Sequence, residues 1–308
     1  MSENESPGVS DWIKLLRLKQ WVKNVFVLAP LIFAAEFTKP ASVIKALQAM
    51  AVFCIVSSGA YIVNDLKDRQ ADSLHPTKRN RPLACGRIRP PQAWAAAFLL
   101  LIAGCLWGFS MAGNMIMTVL AYVLIHIAYT FGLKQLAVID VTCIAVGFVL
   151  RVIGGAEAIA VGCSEWLLLC TFLLACFLGF AKRRQEIILL GDEARSHREV
   201  LLHYSPEMLD QILTLSAACS ILAYALYTIS AETRAKFDTQ ALIYTVPFVY
   251  YGFARYFYLI HQEGKGGDPT EVVYTDRPLL LNGIVWALAC GFIVYWKKLL
   301  IWLESSGM

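Results

Sequence analysis

Apolar residues fall along this chain in blocks of roughly 20, the length an α-helix needs to cross a bilayer core of about 30 Å. Three of these blocks read "VIKALQAMAVFCIVSSGAYIV", "AWAAAFLLLIAGCLWGFSMAG" and "MIMTVLAYVLIHIAYTFGL". A soluble core could supply one such run, but not a succession of them. The pattern predicts nine spans, near residues 24–38, 41–63, 92–112, 115–133, 138–160, 164–181, 209–230, 240–261 and 278–297. The expected fold class is therefore all-α, a polytopic membrane protein.

The connections between the blocks differ in character. Those after the second, sixth and eighth spans are long and charged, and the one after the fourth is short but carries Lys134. The others are short and mostly neutral. Placing the N-terminus and the charged loops on one side gathers most of the Lys and Arg there. The positive-inside rule then predicts that side to be cytoplasmic, with the C-terminus outside. Lys297 and Lys298 run against the trend. Composition agrees with the span count: of 308 residues, 58% are hydrophobic and only 16% charged, against about a quarter charged in an ordinary soluble domain.

The nine cysteines are scattered singly, most of them inside apolar blocks. No CxxC or Cys/His spacing supports a disulfide framework or a thiolate metal site. The opening "MSENESPGVSDW" is polar, with no cleavable apolar region close behind it, so no signal peptide is expected. No linker or low-complexity tract interrupts the chain. The expectation is one domain over 1–308, with a polar N-terminal segment and interfacial helix over 1–20. Two cytoplasmic loops, 64–91 and 182–208, are then the places for chemistry, and a nucleic-acid partner is not expected.

The stretch "NDLKDRQADSLHPTKRNRP" begins where the second span ends. Asn64, Asp68 and Asp72 stand at i, i+4 and i+8, so a helix continuing out of the span stacks them on one face, with Asp65 three residues before Asp68. Crowded carboxylates raise one another's pKa unless a cation sits between them. Magnesium suits such a set, because it is hard, prefers oxygen and binds one or two carboxylates together with phosphate oxygens. The basic half follows at once: His75, Lys78, Arg79, Arg81, Arg87 and Arg89. Arg offers a fork matched to phosphate and Lys a point charge. Acids for a metal beside bases for bare phosphate describe a diphosphate site, whereas a loop serving only topology needs no four-residue acid spacing.

These residues resemble the first aspartate-rich motif, N-D-x-x-D-x-x-x-D, of the UbiA superfamily of intramembrane prenyltransferases. The extension H-P-x-K-x-x-R-P stands here as His75-Pro76, Lys78 and Arg81-Pro82. "YTFGLKQLAVIDV" resembles the family's Y-S-x-x-L-K segment and supplies Tyr129, Lys134 and Asp140, with Thr130 in place of the usual Ser. The resemblance implies nine transmembrane helices around a central cavity. Most members carry a second D-x-x-x-D after the sixth span; this chain has "GFAKRRQEIILLGDEARSHREVLLHYSPEML" instead. Lys182, Arg183, Glu186, Arg195 and Tyr204 in that loop resemble the decaprenyl-phosphate phosphoribosyltransferase subfamily. So do "RLKQWVKNVFVLAPL", where Leu18 replaces a usual proline, and "YTVPFVYYGFARYFYLIHQEGKGGDPTEVVYTDRPLL".

What the subfamily resemblance implies is a Mg2+-dependent enzyme of the bacterial cytoplasmic membrane. It would move 5-phosphoribosyl from phosphoribosyl pyrophosphate to a polyprenyl phosphate and release pyrophosphate. Asp65, Asp68 and Asp72, with Asn64, would hold the metal. Lys78, Arg81 and Lys134 would clamp the diphosphate, while Lys182, Arg183 and Arg195 would meet the donor's 5-phosphate. Glu186 would contact ribose or pair with Lys182. Lys23 and Arg151 are the candidates for the acceptor phosphate. One alternative is a family prenyltransferase with a prenyl diphosphate donor and an aromatic acceptor, which the missing second D-x-x-x-D opposes. Another is a transporter, which should place ionisable residues mid-membrane in several spans; only Arg151 clearly qualifies.

The remaining polar residues read more plainly. Arg151 and Glu157 lie six apart on different helix faces, so a direct pair is not expected, and Glu157 has no assigned role. Arg255 reads as an interfacial side chain that snorkels to water, and Asp276 as a helix cap. The Trp residues near span ends form an interfacial belt. His126 and His203 have no partners at metal spacing and read as structural.

Overall fold

The computed structural model describes residues 7–74, 78–111, 113–190, 199–264 and 269–305, and every regular element among them is helical. Two compact units can be delineated, one formed by Met1–Cys163 with Ser196–Val200 and one by Ser164–Arg195 with Leu201–Met308. The first contains α1 (Val9–Leu16), a 3-10 helix (Leu18–Leu28), α2 (Ala29–Phe33), α3 (Pro40–Lys67), α4 (Arg69–Leu74), α5 (Pro90–Ser110), α6 (Met115–Phe131) and α7 (Ile139–Ala158). The second contains α8 (Glu165–Leu190), α9 (Pro206–Ile229), α10 (Ala231–Phe237), α11 (Val246–His261), α12 (Pro269–Thr275) and α13 (Arg277–Ser305).

Six helices, namely α3, α5, α7, α8, α9 and α13, are long and apolar enough to cross a membrane, and α6 is a shorter apolar helix. These account for seven of the nine spans expected from the hydrophobic pattern. The other two are broken. Over 24–38 the chain is 3-10 as far as Leu28, then turns once as α2. Over 240–261 a 3-10 segment (Ala241–Thr245) precedes the 16-residue α11. Pro30 and Pro247 stand in the first turns of α2 and α11. Neither can donate a backbone N–H, so a helical ladder cannot run through them unbroken.

Within the first unit, α3 and α7 are central: 67% and 61% of their apolar windows are buried, against 22% for α5. Val52, Phe53 and Val56 of α3 pack with Val27, Met115, Val119, Tyr122 and Ala158. Nearer the polar end, Leu15, Ile62, Val63, Leu83, Ile88, Ala93 and Ala97 draw α1 and the α4–α5 connection onto α3 and α5. Helices in a bilayer gain little from hiding apolar surface from one another, so small residues and polar bonds decide how closely they approach. Gly155 shows this directly, since a Cβ there would lie 1.9 Å from the carbonyl oxygen of Val27. Trp21 Nε1 donates to Ser58 Oγ (3.0 Å), and Asn24 Nδ2 donates to Ser57 Oγ (3.3 Å). The 3-10 helix is thus seated between α3 and α7.

The second unit is held by aromatic contacts, with Phe177 against Phe253 (4.8 Å between centroids) and Tyr256 (5.3 Å), and by ion pairs. Arg255, partly exposed, pairs with Asp276 (2.7 and 3.1 Å). Asp276 Oδ1 also accepts from Leu279 N–H (2.8 Å), the capping role expected for it.

Gly155→Ala is expected to lower stability by about 1–3 kcal/mol or more, because the Val27 carbonyl cannot move aside without unseating the 3-10 helix. Gly162→Ala, with open space at its Cβ, should be neutral. Thermal unfolding of the purified protein in detergent compares the two.

Candidate active site

The acidic motif lies where α3 leaves the apolar layer. α3 ends at Lys67 and α4 begins at Arg69, with Asp68 between them. The helical bonding nevertheless continues: Asp68 N–H donates to Asn64 O (2.9 Å) and Asp72 N–H to Asp68 O (2.8 Å). The expected stacking therefore survives the break.

The four residues divide into two groups by what they touch. Asn64 Nδ2 donates to Asp68 Oδ2 at 3.1 Å, and Lys134 Nζ pairs with Asp68 Oδ1. Thr130 Oγ1 donates to Asn64 Oδ1 at 3.5 Å, so the hydroxyl that Ser would supply is present. Asp65 and Asp72 instead share Arg81, whose Nη1 lies 3.0 Å from Asp65 Oδ1 and 2.6 Å from Asp72 Oδ2. Arg17 completes this second group, with Nε 3.2 Å from Asp65 Oδ2 and Nη2 on Oδ1. Nothing in the spacing of Arg17 points to Asp65, 48 residues away; its position in "RLKQWVKN" is the available signal. Arg87 pairs with Asp11 (2.9 Å) and donates to the Asn80 carbonyl (3.3 Å), which ties the basic loop to α1.

Exposure separates the carboxylates. The side chains of Asp65 and Asp72 are 5% and 7% exposed, and that of Asp68 is 31% exposed. Burial pushes the Asp72 carboxyl up from its ordinary value; Arg81 and Lys78 pull it down, and Asp65 pushes it up again. Two buried acids thus share one guanidinium as their counter-charge. Among the described residues no three of His, Cys, Asp and Glu gather closely enough to hold a metal by themselves. Magnesium needs less than that. One or two carboxylates, an amide oxygen and the oxygens of a phosphate ligand make a suitable hard-oxygen set, and Asn64, Asp68 and Asp72 fit that chemistry.

Deeper in the unit, Arg151 of α7 is 3% exposed. Its Nε donates to Asn24 Oδ1 (2.7 Å), Nη1 to the Gly147 carbonyl (3.0 Å) and Nη2 to Tyr122 OH (2.6 Å). It is a bridge between elements, and Glu157 takes no part: its Oε2 accepts from Asn114 N–H at 3.0 Å, beside the left-handed Gly113 (φ 73°). Lys23 lies on the 3-10 helix one residue before Asn24. Asp140 is fully buried in the first turn of α7, where a negative charge favours the helix N-terminus. Tyr129 is half-buried on α6, and Lys78 begins a 3-10 turn (Lys78–Asn80).

In the second unit, Arg183 is 2% exposed and pairs with Glu186 one turn along α8, at 2.8 Å. Lys182 is half-buried and Tyr204 buried against Phe180. Arg195 lies outside the described residues, as do His75 and Pro76.

Comparison with known proteins places these features in context. The model of the UbiA prenyltransferase family matches residues 25–272. The decaprenyl-phosphate phosphoribosyltransferase of Mycolicibacterium smegmatis is 32% identical over 96% of this chain and 98% of its own length. The protein of that name from Corynebacterium glutamicum is 33% identical over 92% and 86%. A solved structure of a UbiA homolog from Archaeoglobus fulgidus, bound to GPP and Mg2+, shares the fold with a TM-score of 0.70 at 20% identity, covering 92% of this chain and 99% of that one.

Arg81→Ala leaves two buried carboxylates without their common cation and is expected to destabilise the protein by about 2 kcal/mol. On an Asp72→Asn background the same change should cost clearly less. Thermal or denaturant unfolding of the four proteins closes the cycle.

Proposed function

The chain belongs to the UbiA prenyltransferase family, and from that membership we propose that it transfers the 5-phosphoribosyl group of phosphoribosyl pyrophosphate to a polyprenyl phosphate. The observation that carries the reading is the acid cluster at the end of α3, in which every carboxylate is matched by a cation from elsewhere in the chain. The choice of donor and acceptor is supported by the relatives alike over nearly their whole length, which are named for that reaction. An integral membrane setting follows from the apolar helices and the family; we place the acid cluster on the cytoplasmic face of a bacterial membrane, where a water-soluble donor is available.

Asn64, Asp68 and Asp72 would hold magnesium. When bound there, it supplies charge neutralisation for the pyrophosphate as it leaves. Asp68, the most exposed of the three acids, is the one a ligand reaches first. Lys134 and Arg81 now rest on carboxylates; with those acids engaged, the same side chains can turn to diphosphate oxygens, as Lys78 can. Asp65, clamped by two guanidinium groups, holds Arg17 and Arg81 in place for this exchange.

The acceptor is already an anion, so the reaction needs no strong general base. A phosphate oxygen forms the new bond to ribose C1 while the C1–O bond to pyrophosphate breaks, and the bonding pair leaves with pyrophosphate. Displacement in line inverts C1 and gives the β-linked lipid. Lys23 and Arg151 would hold the acceptor phosphate on the membrane side of C1, leaving its tail in hydrocarbon.

Purified protein given labelled phosphoribosyl pyrophosphate, polyprenyl phosphate and magnesium should yield lipid-linked label. Chelation should abolish this and added magnesium restore it, and Asp68→Asn should cost at least about 10²-fold in rate. Absence of lipid-linked label, together with turnover of a prenyl diphosphate and an aromatic acceptor, would establish the prenyltransferase alternative.

A further inference from the structure

The helix that carries the acid motif has a second polar face. Asn64, Asp65, Asp68 and Asp72 share one side of the continuous turns from α3 into α4. At about 100° per residue, Lys67, Arg69, Gln70 and Ser73 fall on the other side. There they line a cleft of about 670 Å³, of which Trp94 of α5 and Phe131 of α6 form the aromatic walls.

Charge in this cleft is unbalanced. Among the described residues neither Lys67 nor Arg69 forms an ion pair. Lys67 Nζ lies over the Phe131 ring (5.8 Å), and Arg69 Nε donates to the Leu83 carbonyl (3.2 Å). The acids of the motif are matched on their own side by Arg17, Arg81 and Lys134. Two cations with the Gln70 amide beside them call for an anion with several acceptor oxygens. Position decides which anion. Three helices meet the edge of the apolar layer here: α3 ends at Lys67, α5 begins at Pro90 and α6 ends at Phe131. Trp94 and Phe131 are 49% and 57% exposed, and exposed apolar side chains continue from them toward the middle of the membrane, Phe98 on α5 and Ile127 and Leu124 on α6. A water-soluble anion gains nothing from such walls. An amphiphile sets its phosphate against the cations, its glycerol beside the aromatic rings and its acyl chains along the two apolar strips.

We propose that this cleft binds an anionic phospholipid of the leaflet nearest the acid motif, with Lys67 and Arg69 on its phosphate and Trp94 and Phe131 against its glycerol and upper chains. The ligand is a resident of the bilayer and not a reactant, so the assignment stands apart from the transfer reaction.

Binding is measured on the full-length protein, delipidated in a neutral detergent, with phosphatidylglycerol, phosphatidylcholine, glycerol 3-phosphate and geranylgeranyl phosphate as probes. The wild type should prefer phosphatidylglycerol to phosphatidylcholine, and glycerol 3-phosphate should not displace it. Lys67→Gln, which keeps the bond from Arg69 to Leu83, is expected to weaken phosphatidylglycerol binding about fivefold, and Lys67→Gln with Arg69→Gln about tenfold or more. Lys14→Gln with Lys19→Gln removes the same charge from exposed positions nearer the N-terminus and should leave the affinity within about twofold. Unchanged phosphatidylglycerol affinity in both folded cleft variants would overturn the proposal. So would an equal loss in the Lys14 and Lys19 variant, which would mean general attraction to a basic surface. Equal binding of the two phospholipids, or displacement by glycerol 3-phosphate, would overturn it as well. Tighter binding of geranylgeranyl phosphate than of phosphatidylglycerol through Lys67 and Arg69 would give the cleft to a prenyl lipid and likewise refute it.

Discussion

Asp65, Asp68 and Asp72 lie within eight residues at the end of an apolar helix, and their mutual repulsion has to be offset by positive charge set among them. The chain answers with Arg17, Arg81 and Lys134, each from a different segment. Much of the polar end of the first unit follows from that demand. Arg81 brings the connection between α4 and α5 back over the end of α3. Lys134 fixes the turn between α6 and α7, and Arg17 anchors the junction of α1 and the 3-10 helix. The acids thus act first as an organising charge for the fold, and the cations they collect are the ones a diphosphate would want.

One to two helical turns deeper the imbalance is reversed. Among the described residues Arg151 forms no ion pair with an acid, and it donates to oxygens of Asn24, Tyr122 and its own helix. The second arrangement depends on α7 and its glycines. Gly155 is needed because the Val27 backbone comes too close for any side chain, whereas a Cβ on Gly147 would make ordinary contact with His126, Arg151 and Tyr122. Close packing of the 3-10 helix on α7 holds Asn24 against Arg151.

The hydrophobic blocks made the helical membrane class and seven of the spans legible, because the length of an apolar run is a direct physical requirement of the bilayer. The two spans that broke did so at Pro30 and Pro247, a local effect that block length does not register. The four-residue spacing of Asn64, Asp68 and Asp72 was readable because it is the period of a helix. Which acid meets which base was not, since Arg17 and Asp65 are 48 residues apart and Lys134 and Asp68 are 66 apart. Hydropathy likewise places Arg255 near a span end without showing its partner, Asp276, 21 residues on.

Burial sorts the basic residues that sequence alone could only count together. A cation that is to trade a carboxylate for a ligand must be partly open, and the exchange is easy when the number of opposite-charge contacts is conserved. Lys134 and Arg81, 16% and 28% exposed and paired with the acids a metal would take, meet both conditions. Arg183 meets neither: it is 2% exposed and paired with Glu186 on its own helix, and pulling it away would strand charge in the interior. The basic run on α8 is therefore not uniform in what it can do. Where a loop carries more arginines than one phosphate needs, the buried ones are better understood as holding the backbone that the others work from.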